Sequence, residues 1–193
     1  MLDERQFREL FPTLRAQDRA LYYHPMIAAC AEHDIHTPPR LAAFCAQLAH
    51  ESVGLGVWRE IWGPTPAQAR YEGRTDLGNV QPGDGYRYRG RGPIQITGRR
   101  NYRAAGQALN VPLEDDPDQA LRPEVGFRVA AWYWRTRQLN TLADRDDMTA
   151  YRLITRAING GLTGWEDRLR RWVRARAILG LAPLPVIPQG ATA

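Results

Sequence analysis

The residues best suited to chemistry in this chain are carboxylates. Glu51 sits in the run Ala49-His50-Glu51-Ser52, at the end of an apolar helical pattern. At about 100° per residue it shares the angular position of Phe44, while His50 points elsewhere. A carboxylate that continues an apolar stripe is costly to bury unless it is paired or protonated. Burial and the negative end of the helix dipole both favour its neutral form. A proton donor to a departing glycosidic oxygen needs that environment. The plainer reading is a rim glutamate paired with one of the many arginines.

Glycoside hydrolysis needs a second carboxylate, and an inverting enzyme separates the pair by roughly 6.5–9.5 Å to admit a water. Glu60, Glu72, Asp76 and Asp84 all fall in the segment that follows. Glu60 lies between Trp58 and Trp62, aromatic neighbours that suit either a sugar cleft or a loop pinned to the core. Downstream, Tyr86 to Tyr102 reads YRYRGRGPIQITGRRNY. Tyr86–Tyr88 and Ile94–Thr97 alternate as short strands around Gly90-Arg91-Gly92, which predicts a small hairpin with Gln95 and Thr97 on one face. The glycines do not match a phosphate-binding loop, and close backbone approach explains them better. The four histidines include no H-E-x-x-H pair.

The elements that must carry these residues are mostly helical. Phe7, Leu10 and Phe11 have helical spacing within residues 3–11. A second helix is predicted from near Pro25. Thr37 can cap a third, Pro38 suits its first turn, and Leu41, Phe44, Cys45 and Leu48 form its buried stripe. Residues 53–85 read as a long irregular loop, a type often functional in compact domains. Further helices are predicted over about 98–109, 122–138, 148–158 and 164–180. Residues 1–181 read as one domain, and the Pro-rich segment 182–193 as a flexible tail.

The formal charge is +5, the pI is about 9.6, and every basic residue other than histidine is arginine. Guanidinium groups bind anionic polymers through paired hydrogen bonds. No helix-turn-helix or Cys/His finger supports nucleic acid. Cys30 and Cys45 are too few for a disulfide framework and read as reduced core residues. The first residues lack an apolar signal core, and no run reaches membrane-spanning length, so a cytoplasmic protein is expected. The last helix carries Arg168, Arg170, Arg171, Arg174 and Arg176 beside Leu169, Trp172, Val173 and Ile178. It reads as a packed helix with a solvated arginine face, or as a surface for anionic lipid.

Taken in order, Ala49–Ser52, Tyr88–Thr97, Asn101-Tyr102 and Ile158–Gly161 resemble glycoside hydrolase family 19, which contains chitinases and phage endolysins. The likeness runs from about residue 40 to 180. It implies that Glu51 is the general acid, that Glu60 is the second carboxylate, and that Thr97 helps hold the attacking water. Glu72 falls nearer the longer spacing of plant chitinases. The resemblance further implies that Gln95, Asn101 and Asn159 hydrogen-bond the sugar chain, with Tyr88 among the substrate contacts, and that Arg168 tunes the carboxylates. Thr163 stands where the plant form carries a glutamate, and Glu166 is a possible substitute. The short spacing between the carboxylates fits the endolysin branch.

These readings converge on a mainly α, lysozyme-like, two-lobed fold with a small β-hairpin element beside a cleft. The expected activity is inverting cleavage of β-1,4 bonds in peptidoglycan by an endolysin, a monomer without metal or organic cofactor, held in host cytoplasm until holin-mediated release. Chitin is the alternative substrate. A non-catalytic, cationic wall-binding module is the alternative of another class.

Overall fold

The computed structural model describes residues 2–184. Among the described residues ten α-helices form, in chain order α1 Glu4–Leu10, α2 Ala16–Glu32, α3 Pro38–Glu51, α4 Pro66–Ala69, α5 Asp84–Arg87, α6 Arg99–Leu109, α7 Pro123–Thr136, α8 Leu139–Ala143, α9 Met148–Asn159 and α10 Trp165–Ile178. The expected mainly helical, lysozyme-like fold is what the chain adopts. The tail expected from residue 182 lies, from residue 185 onward, outside the described residues.

Local chemistry explains several helix starts. Asp3 and Gln6 form a reciprocal capping box at α1. Asp147 caps α9 by accepting the Ala150 amide at 2.7 Å. Thr37 occupies the cap position of α3, but its buried hydroxyl has no partner, so the two prolines fix this start instead. The helix predicted from Pro25 actually begins nine residues earlier, at Ala16, and runs through the proline. Packing of α2 against α7 outweighs the lost backbone hydrogen bond, with Tyr22 lying on Trp58 and Phe127.

Helix α3 is the central element. Its residues Leu41 to Ala49 are all buried, and it packs chiefly along α10. Cys30 and Cys45 are free thiols in this core, and burial pushes the Cys45 thiol up to about 12. Trp172 of α10 stacks on Tyr151 of α9 with centroids 4.2 Å apart. Among the described residues, no helix is long and apolar enough to cross a membrane.

The β element is smaller than predicted. Arg91 forms single antiparallel bridges to Ile96 and to Arg59. The Arg91 and Ile96 amides exchange bonds of 3.2 and 2.9 Å, and the Gly92 amide donates to Trp58 at 2.7 Å. The strand predicted at Tyr86–Tyr88 is instead the end of α5 and its cap. Glu72 causes this by accepting the Gly83 and Gly85 amides at 2.6 and 2.8 Å, which stabilises a helical turn there. The buried Arg91 guanidinium ties the junction together, donating to the carbonyls of Arg87 and Arg89 and to Asp118.

Helix α10 also departs from a simple cationic face. Arg168 and Arg176 are buried, paired with Glu51 and Asp146. Arg170 and Arg171 both donate to Asp167.

Candidate active site

One open cleft of about 470 Å³ gathers most of the predicted residues: Glu51, Glu60, Gln95, Thr97, Asn101 and Asn159. Helices α3 and α7 supply Glu51 and Tyr133, and α9 supplies Ile158 and Asn159. The segment from Glu60 to Asn101 supplies the rest.

Glu51 is the last residue of α3, with its side chain 19 % exposed. Arg168 donates to its Oε1 at 2.5 Å. The same guanidinium bonds the Gln47 side chain and donates from Nε to the Thr163 carbonyl at 3.2 Å. Gln47 continues to Thr155 at 2.9 Å. The network is therefore Glu51–Arg168–Gln47–Thr155, assembled from α3, α9 and α10. Thr163 contributes its backbone where the plant form has a carboxylate. Glu166 is exposed and its side chain makes no hydrogen bond among the described residues, so Gln47 is the side chain that completes Arg168.

A second tie lies one residue away. His50 Nδ1 is 2.8 Å from Asp167 Oδ2. Gly164 makes room for this ring, because a Cβ there would sit 2.4 Å from His50 Cε1. Burial would raise the Asp167 carboxyl, but hydrogen bonds from Arg171 and His50 outweigh it and hold the group at about 2.

Glu60 is fixed by neutral donors instead. Its Oε2 accepts the Gly90 amide at 2.9 Å and its Oε1 accepts Gln68 Nε2 at 3.0 Å. Its own amide donates to the Gly90 carbonyl at 2.9 Å. Gly90 has to be small, because an added Cβ would lie 2.7 Å from Gln95 Oε1 and 3.3 Å from Glu60 Oε2. Gln95 stands at φ +52, a conformation that costs a non-glycine residue about 1–2 kcal/mol. The Thr97 hydroxyl donates to the Gln95 carbonyl at 3.0 Å, leaving its oxygen free to accept. Asn101 donates to the Thr97 carbonyl at 2.7 Å.

Three predicted residues lie elsewhere. Tyr88 is buried, donates to the Glu114 carbonyl at 3.0 Å and carries Arg99 over its ring, so it packs under the site and cannot touch a ligand in the cleft. Arg168 reaches the cleft only through Glu51. Glu72 is committed to the start of α5 and does not line the cleft. The tryptophans beside Glu60 pin the loop: Trp58 is buried against Phe127, and Trp62 meets Tyr86 and Tyr71.

Sequence reasoning missed Tyr71, Arg74 and Tyr133. Tyr133 continues the apolar pattern of α7 and reads as core. Its phenol is pushed up by burial, against the Arg137 guanidinium 3.3 Å from its ring, with Glu51 adding to the rise.

A helical, two-lobed fold with two fixed carboxylates and an ordered set of amides and hydroxyls in one cleft defines the lysozyme-like class of glycan-cleaving folds. The sequence profile described as chitinase class I, glycoside hydrolase family 19, matches residues 18–171. The chain belongs to this family. A glycosyl hydrolase family 19 domain-containing protein of Haemophilus influenzae is 29 % identical over 88 % of this chain and 93 % of its own length. An endochitinase of Arabidopsis thaliana is 40 % identical over 63 % of this chain, which spans 39 % of that enzyme. The crystal structure of chitinase C from Streptomyces griseus superposes with a TM-score of 0.76 at 26 % identity, covering 95 % of this chain and 78 % of that one.

Proposed function

We propose that this chain is an inverting glycosidase that cuts β-1,4 bonds of bacterial peptidoglycan, acting as an endolysin. The observation that carries the catalytic reading is the pair Glu51 and Glu60, held by separate elements and facing one cleft. In this scheme Glu51 protonates the bridging oxygen. Glu60 takes a proton from a water as its oxygen attacks the anomeric carbon. Thr97, its own hydrogen committed to Gln95, accepts the water's other hydrogen and orients it. Gln95, Asn101 and Asn159 bind the sugar amides and hydroxyls. Glu60 is preferred to Glu72 because only Glu60 lines the cleft.

Charge favours peptidoglycan over chitin. Chitin is neutral, whereas wall glycan bears lactyl and peptide carboxylates that a +5 protein attracts. On the outer face of α10, Arg170 and Arg174 are the groups proposed to meet anionic outer-membrane lipid.

Turnover of purified cell walls beside a chitin oligomer tests the substrate. Faster release from walls is expected, and faster release from chitin would reverse the ranking. An α-configured reducing end in the first product is the expected sign of inversion.

A further inference from the structure

Among the described residues lining the cleft, Arg74 is the cation. Its backbone is firmly held. The Arg74 carbonyl accepts the amides of Leu77 and Asn79 at 3.1 and 3.0 Å. Buried Asn79 donates to the Tyr71 carbonyl and accepts the Arg99 amide, both at 2.9 Å. A Cβ at Gly78 would lie 2.9 Å from Arg100 Cβ, and one at Gly98 would lie 2.8 Å from Leu77 Cβ. The turn carrying Arg74 is thus seated directly on the start of α6, whose first turn holds Asn101.

The guanidinium is held very differently. Its side chain is 44 % exposed, and its partner is Asp76, two residues on and 63 % exposed. The contact is bidentate, at 2.6 Å for each bond. Water screens such a pair, and another carboxylate can take the place of Asp76 with the same geometry. A neutral sugar polymer offers nothing for that exchange.

We propose that Arg74 is a specificity-determining residue that exchanges Asp76 for a carboxylate on the glycan, selecting carboxylate-bearing GlcNAc polymers over neutral ones. The inference rests on reading the cleft as a glycan site and deepens the peptidoglycan assignment. In a bacterial wall the carboxylate belongs either to the stem peptide or, where the peptide has been removed, to the lactyl group of N-acetylmuramic acid.

Two variants give opposite signs. Arg74→Gln removes the fork, and Asp76→Asn removes its internal competitor. Each is compared with the parent on a chitin oligomer and on the same oligomer partly de-acetylated and N-succinylated, by kcat/KM and by Kd from titration. Thermal unfolding checks that both variants fold. Arg74→Gln should lower the charged-to-neutral preference about tenfold, and Asp76→Asn should raise it. An equal loss on both oligomers for Arg74→Gln, or a fall in preference for Asp76→Asn, would overturn the proposal. Peptide-stripped glycan strands and intact walls then locate the carboxylate, since a response on only one of them assigns the lactyl or the peptide source. A parent enzyme that cuts oligomers but not walls would defeat the peptidoglycan assignment, while the oligomer pair would still report on Arg74.

Discussion

Glu51 and Arg168 meet at 2.5 Å across the interface of α3 and α10, one residue beyond the point where His50 and Asp167 meet at 2.8 Å. Consecutive residues on one helix thus pair with consecutive residues on the other. The outer rung ties the helix ends at the surface, and the inner rung holds the proposed acid. Arg168 has only 2 % of its side chain exposed, so it cannot recruit water if Glu51 is lost.

Arg168→Met should therefore be strongly destabilising. Removing one partner of a buried pair costs about 3–5 kcal/mol, because Glu51 and Gln47 are left without their donor. In a chain of this length that lowers Tm by roughly 10 °C. The same substitution made on a Glu51→Gln background should cost less, and the difference between the two melting shifts measures the coupling.

Gly90→Ala should damage activity more than stability. The backbone at 90 is not left-handed, so alanine is conformationally acceptable, but its methyl would press on Gln95 and Glu60. Small displacements of aligned groups can cost up to about a hundredfold in rate. A kcat reduced at least tenfold, with Tm within a few degrees of the parent, is the expected result of paired kinetic and melting measurements.

Acid should unfold the protein through carboxylates that do not line the cleft. The Arg99 hydrogen bonds, aided by the amides of Gln81 and Val80, hold the buried Asp84 carboxyl below its ordinary range against the opposing effect of burial. Asp167 stands at about 2. Both groups are depressed in the folded state. Their stabilisation is thus fully present above the unfolded value of about 3.9 and is lost as pH falls through the folded values. Tm measured from pH 5 downward should drop between about 4 and 2, and Asp84→Asn should flatten that slope.

Val53 offers a stabilising substitution. It is an exposed, β-branched residue at φ +51, directly after the Ser52 cap of the acid-bearing helix. Left-handed backbone costs such a residue about 1–2 kcal/mol, and glycine recovers part of it against a larger unfolded-state entropy. Val53→Gly should gain about 0.5–1 kcal/mol, read from the denaturant midpoint.

The long helices and the cleft's carboxylates were legible because they rest on local rules. The stripe Leu41–Leu48 fixes α3, and chain direction then carries Glu51 to its edge. The ordered segment from Gly90 to Asn101 likewise carried Gln95 and Thr97 to the cleft. Tyr88 was misread because alternation around glycines looks like a strand, while the deciding contact, Glu72 on the Gly83 and Gly85 amides, spans 11 and 13 residues. The start of α2 was missed because Pro25 reads as a boundary, yet packing on α7 carries the helix through it. Arg74 and Tyr133 had no local signature, since only the folding of one lobe beside the other brings them to the cleft.

The most direct measurement is the hydrolysis rate of Glu51→Gln on purified cell walls, with melting temperature and wall binding followed in parallel. Glutamine keeps the shape and an acceptor for Arg168 but has no proton to give at working pH. A rate lower by about 10²–10⁴, with fold and binding kept, is expected of a lost general acid. Wall hydrolysis at the parent rate would contradict proton donation by Glu51.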